Sequence, residues 1–103
     1  ARRELAHKPA LIIGVSAGTG GAYPVLHLRS FGYKNTHLCY LPDHVIVRHV
    51  KGVLNGPEPE SEADTHVRAR LDYSLGLLEA YTAALMGVRA SGAIDLERYG
   101  NGM

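Results

Sequence analysis

An uninterrupted apolar run fills residues 10–15, with Pro9 before it and a glycine-rich loop after it. A short continuous run of this kind reads as a strand covered on both faces, the pattern of a parallel sheet, and it predicts neighbouring strands on each side. Beyond the loop at 16–21, Val25, Leu28 and Phe31, with Leu26 beside them, form an apolar stripe of helical period. Pro24 is acceptable in a first helical turn, and Gly32 is expected to end the helix in the left-handed conformation. Residues 36–41 read as a second strand stopped by Pro42. Strand, loop, helix and strand together make a βαβ unit.

Val45, Ile46, Val47 and Val50 continue as an extended or irregular segment, and residues 51–62, which hold Gly52, Gly56, Pro57 and Pro59, read as a loop. Ser61 or Asp64 caps a long helix running to about Ala90, in which Val67, Leu71, Leu75, Leu78, Leu85 and Met86 recur at steps of three and four. Gly76 inside it is expected to mark close packing. Residues 91–103, with Gly92, Gly100 and Gly102, have the character of a mobile tail or a partner-binding arm. Two strands and two helices do not make a free-standing parallel sheet. Residues 1–103 are therefore expected to be the C-terminal half of one α/β domain, with the remaining strands supplied by an N-terminal segment or by another chain.

Length and composition narrow the class. A chain of 103 residues allows one domain at most, and 46% hydrophobic with 20% charged residues lies outside disordered, collagen-like and coiled-coil sequences. No apolar run approaches the ~18 to 20 residues of a membrane-spanning helix, and the basic start lacks the apolar core of a secretory signal, so a cytoplasmic location is expected. The single cysteine, Cys39, reads as a small buried hydrophobe in a reducing compartment. The net charge of +1 conceals an uneven layout: residues 1–56 carry seven Lys/Arg against two acids, and residues 57–103 carry four against eight. A positive first half suits a phosphorylated small molecule. No dense basic run is present to neutralise a nucleic-acid backbone, and six tyrosines with one phenylalanine and no tryptophan give no base-stacking platform.

The chemistry concentrates in the glycine loop. Counted from Gly18, the third glycine of a dinucleotide fingerprint falls on Tyr23, and no Lys-Ser/Thr pair follows to make a phosphate-binding P-loop. What remains are backbone N–H groups and the hydroxyls of Ser16 and Thr19, placed where open α/β sheets bind ligands and able to donate to a flat ring or an anion. The plain structural alternative is a turn whose glycines need positive φ. The same stretch matches G-x-S-x-G with Ser16 as nucleophile, an alternative reading as a serine hydrolase. Its acid and base would have to be Asp43 with His66, or Asp64 with a later residue, and no histidine follows His66. The six histidines show no metal-ligand spacing, so no metal is expected; His44 and His49 are the two placed to approach a ligand cleft.

Lys8-Pro9 before the apolar strand, Ser16-Ala17-Gly18 and Gly20-Gly21 in the loop, Leu28-Arg29 in the helix and Leu41-Pro42 after the next strand follow one another in a familiar order. With Val45, Val47, Gly56 and the long last helix, the sequence resembles the C-terminal half of the NADPH-dependent FMN reductase family over about residues 8–90. That resemblance implies a flavodoxin-like three-layer sandwich with a parallel sheet, to which this chain gives about two strands and two helices. It implies FMN as cofactor, NADPH or NADH as hydride donor, and a flavin, quinone or azo acceptor. It implies that Ser16, Ala17, Gly18, Thr19, Gly20 and Gly21 bind the flavin, and that the protein is a homo-oligomer, dimer or tetramer. Hydride transfer requires two rings held in contact rather than a protein acid or base, so no catalytic residue is named. The family's N-terminal phosphate-binding loop and middle flavin-contacting loop have no counterpart in these residues, and the chain alone is expected to bind FMN poorly. A non-catalytic subunit or interaction module is the remaining alternative.

Overall fold

The computed structural model describes residues 2–103. Its elements in chain order are α1 (Arg2–Leu5), β1 (Pro9–Ala10), β2 (Ile13–Val15), α2 (Ala22–Phe31), β3 (Cys39–Tyr40), β4 (Val45–Val47), a single 3-10 turn at Val50–Gly52, and α3 (Glu62–Ala90). The fold is mixed α/β. β1 pairs with β3 and β2 with β4, both in parallel.

The two pairs form one ribbon with a change of register. Pro9 lies opposite Cys39 and Ala10 opposite Tyr40, whereas Ile13 lies opposite Val45, so the second strand gains two residues at the junction. The Leu41 N–H donates to Ala10 O at 3.0 Å and the Val45 N–H to Ile12 O at 3.0 Å, which brackets the extra residues between Leu41 and Val45. Arg29 of α2 gathers this bulge: its Nη2 donates to Leu41 O at 2.7 Å and Asp43 O at 3.3 Å, and its Nε donates to His44 Nδ1 at 3.2 Å. Burial, and after it the nearby Arg29 charge, lowers the His44 pKa and keeps the ring an acceptor. The sequence expectation of one strand at 36–41 therefore needs correction. Pro42 interrupts the ladder without ending it, and residues 45–47, expected to be irregular, are the better-paired part.

α2 and α3 cover opposite faces. On one, the space a Cβ would take at Gly14 is filled by the Gly21 carbonyl oxygen and the Val25 methyl, so α2 sits directly on bare backbone. On the other, Val45, Val47, Val53 and Val67 form the buried core, flanked by Leu11, Val50 and Leu71. Only Val25 of the expected α2 stripe is buried; Leu26, Leu28 and Phe31 are exposed. Ile13 and Val15 are 45% and 54% exposed, and among the described residues the second edge of each strand has no strand partner. Residues 10–15 thus have one neighbour, not the two that the apolar run predicts. Gly32 has φ −64°, not the left-handed value expected of a helix-ending glycine; the Tyr40 hydroxyl occupies its Cβ position. Cys39, expected to be buried, is exposed.

Ser61 caps α3, its Oγ accepting from the Asp64 N–H at 3.1 Å. Val67, Leu71, Ser74, Leu78, Tyr81 and Leu85 turn inward, while Leu75 and Met86 are exposed. Gly76, expected at a close contact, faces open space, in an outward row with Ala69, Ala80, Ala83 and Gly87 that is exposed throughout. After α3 the chain folds back: His37 Nε2 donates to Gly100 O at 3.0 Å, Arg3 pairs with Glu97, and Arg89 Nη1 donates to His7 O at 3.0 Å.

The radius of gyration is 16.3 Å, against about 13 Å for a compact chain of this length. The accessible surface is 6995 Å², against roughly 5,700 Å² for a compact protein of this mass. Both follow from a long helix and two open strand edges. No helix of the described residues is long and apolar enough to cross a membrane.

Candidate functional site

The carboxyl ends of β2 and β4 lie side by side, and the loops that leave them are bonded to each other. The Ser16 N–H donates to Val47 O at 2.9 Å, the His49 N–H to Gly18 O at 2.9 Å and the Val50 N–H to Ser16 O at 3.1 Å. Arg48 Nε donates to Thr19 O at 3.1 Å, and the Tyr23 N–H to Gly20 O at 3.1 Å. The carbonyls of Ser16, Gly18, Thr19 and Gly20 are therefore all engaged within the protein.

The N–H groups are not. Those of Ala17, Gly18, Thr19, Gly20 and Gly21 have no acceptor among the described residues. Consecutive unpaired donors beside a helix N-terminus make a patch of positive potential; Ala17, Gly18 and Thr19 are exposed to water there, whereas Gly21 is buried. All six sequence-predicted site residues thus occur together, but their roles separate. Ser16 Oγ donates to Gly18 O at 2.9 Å and so shapes the loop. Gly18 would accept a Cβ in open space, and Gly20 would meet only the Tyr23 ring at 3.6 Å. Gly21 would press its Cβ on the Ile46 methyl at 3.0 Å. Gly92 is the sole glycine of positive φ among the described residues, so these loop glycines serve close approach and exposure of the backbone, not a left-handed turn.

His49 itself adopts the left-handed conformation, with φ 49° and ψ 51°. This geometry is uncommon for a residue other than glycine, though histidine tolerates it better than most. It aims the His49 N–H at Gly18 while Val50 reaches Ser16, and so fastens the two loops together.

At the outer edge of β4, under the first turns of α3, lies a cleft in two connected parts of about 390 and 320 Å³. Ile46, Arg48, His66 and Val67 line both parts; His49 and Val53 add to the larger, His44 and Arg70 to the smaller. His44 and His49 do reach a cleft, as the sequence suggests. Arg48 was missed, and His66 was considered only as the base of a hydrolase. Arg48 sits two residues past an apolar strand position on the same face as Ile46, a period-two signal that was available; His66 required knowing where α3 docks.

The partners of a serine nucleophile do not assemble. No histidine hydrogen-bonds Ser16 Oγ among the described residues, Asp43 Oδ2 pairs with Arg70 Nη2 at 2.9 Å, and Asp64 is committed to Leu54, Glu60 and Arg68. No group of three or more His, Cys, Asp or Glu side chains is placed to hold a metal ion among the described residues. Comparison of the chain with protein-family models, curated proteins and solved structures found no match.

Proposed function

We propose that the chain is the C-terminal half of a flavodoxin-like domain in an NAD(P)H-dependent FMN reductase-like oxidoreductase. The carrying observation is the row of five unpaired N–H donors at residues 17–21, at the carboxyl end of a parallel pair, with the carbonyls of Ser16, Gly18, Thr19 and Gly20 engaged within the protein. That donor set fits the pyrimidine edge of an isoalloxazine ring, which carries carbonyl and nitrogen acceptors and gathers negative charge on reduction. The chemistry of FMN when bound is hydride uptake from NADPH or NADH and delivery to a flavin, quinone or azo acceptor. The loop's part is to orient the ring, leave one face clear because Gly18 and Gly20 have no side chain, and favour the reduced form electrostatically. No residue of the chain is asked to carry a proton.

The open edge of β1 and β2, with Ile13, Val15 and the exposed α2 residues beside it, is the surface that completing N-terminal strands would cover, from the same polypeptide or another. A second copy of the chain would cover the outward row of α3. A cytoplasmic location accords with this reading.

FMN titrated into the completed domain is expected to bind at micromolar concentration with a shifted flavin spectrum. Gly18→Val is expected to weaken that binding roughly tenfold or more without lowering the melting temperature, because its side chain enters open space on the folded protein and collides only with a bound ring. No flavin binding by a folded, completed domain removes the proposal and leaves a non-catalytic interaction module. The hydrolase alternative has no observation in its favour: a fluorophosphonate probe is expected to leave Ser16 unlabelled, and labelling that Ser16→Ala abolishes would restore it.

A further inference from the structure

We infer that the cleft lined by Arg48, His49 and His66 is a phosphate-binding site, and that its ligand is the phosphate-bearing part of a nucleotide whose other end reaches the glycine loop. Arg48 spends only Nε on the protein, at Thr19 O; its two terminal nitrogens have no protein partner among the described residues. The rings of His49 and His66 likewise make no hydrogen bond there, and both side chains are exposed toward the same 390 Å³ space. Carboxylates are absent from the lining of both parts of the cleft. Asp43, which neighbours the lining residue His44, is paired with Arg70.

Arg48, His49 and His66 line one cleft whose walls carry no carboxylate, so an anion entering it meets hydrogen-bond donors and a positive field that no lining acid opposes. A guanidinium with two free terminal nitrogens presents the planar fork that phosphate oxygens match in pairs. The floor is apolar, formed by Ile46, Val53 and Val67, which suits the ribose or base attached to a phosphate better than it suits a small free ion. Arg48 also binds this cleft to the loop. Its Nε holds Thr19 O, so an anion on the far side of the guanidinium fixes the same side chain that braces residues 17–21. One ligand carrying both a phosphate and a flat ring would engage both places at once. The nicotinamide dinucleotide of the proposed reaction has that form, and its identity rests on that reading; the anion site does not.

The test uses this chain as it stands, without flavin. Sodium pyrophosphate titrated into the ¹⁵N-labelled chain at pH 6.5 is expected to shift the resonances of Arg48, His49 and His66 saturably. Arg48→Ala and His66→Gln, both at exposed positions, are expected to weaken binding roughly tenfold each; His66→Gln should leave the remaining spectrum in place, and Arg48→Ala should move it only at residues 17–21, which lose the bond to Thr19 O. Lys51→Ala removes an equal charge outside the cleft and is expected to leave affinity unchanged. Absence of saturable shifts, or equal weakening by Lys51→Ala, overturns the site. NADP⁺ in place of pyrophosphate is expected to add shifts at residues 17–21; shifts confined to the cleft would overturn the two-ended ligand. Pyrophosphate binding here with no FMN binding by the completed domain would separate failure of the redox reading from failure of this one.

Discussion

Gly14→Ala is expected to destabilise the fold by about 3 kcal/mol, the upper end of the cost of overpacking, because the added methyl has nowhere to go. Its nearest obstacles are the Gly21 carbonyl oxygen and a methyl of Val25, which is itself almost fully buried. Backbone cannot swing aside as a flexible side chain does, so α2 must lift from β2. A lower unfolded-state entropy favours alanine by only about 0.4 to 1 kcal/mol, too little to offset the clash. The urea midpoint should fall accordingly, and Gly18→Ala, with open space at its Cβ, should leave it in place. An unchanged midpoint in Gly14→Ala would mean that α2 does not press on the strand.

The second large effect lies at Asp64. This side chain is almost fully buried at the start of α3, and it accepts from Arg68 Nε at 2.8 Å, the Leu54 N–H at 3.0 Å and the Glu60 N–H at 3.0 Å. Arg68 in turn donates to Gly56 O at 2.7 Å, so one ion pair holds the whole loop between the 3-10 turn and α3. Leu54 is kept in the left-handed region, φ 61°, by this anchorage. The Arg68 hydrogen bond first, and then the Leu54 and Glu60 N–H groups, pull the Asp64 pKa down to about 2 against the opposing effect of burial. A carboxyl whose pKa is lower folded than unfolded stabilises the protein above the unfolded value of about 4, and that contribution disappears as pH falls from about 4 towards 2. Acid unfolding should therefore steepen in that window. Asp64→Asn should flatten it, while lowering the melting temperature at pH 7 by on the order of 10 °C through loss of the ion pair and a broken loop anchor. An acid profile identical to that of the parent protein would show that Asp64 does not sense folding.

Much of this was legible in the residues. The α2 boundaries, the Ser61 cap and the end of α3 near Ala90 follow from local chemistry, because caps and helical periodicity act over a few residues. The loop at residues 16–21 was found by its position between strand and helix. What escaped depends on contacts distant in sequence. The reason for Gly14 lies in Gly21 and Val25; the reason for Gly32 lies in Tyr40. Pro42 reads as a stop, since nothing nearby in sequence tells that Arg29 will collect the Leu41 and Asp43 carbonyls and let the strand resume. The inward face of α3 was read as passing through Leu75 and Met86, whereas Ser74 and Tyr81 occupy it; a helix rich in alanine and glycine offers more than one apolar stripe, and docking chooses among them.

The two surplus residues clasped by Arg29 are looped out of an otherwise continuous ladder. Tyr40 lies opposite Ala10 and Val45 opposite Ile13, so deleting both would leave every one of these pairs in register and the alternation of side chains intact. Arg48 and His49 would still reach Thr19 and Gly18, and the donor row would keep its brace. Removing just one would leave an odd insert, which must either stay as a one-residue bulge or slip the strand and turn Val45 and Val47 to the opposite face. The parity of this insert, more than the identity of its residues, is what keeps the core valines facing inward beyond Pro42.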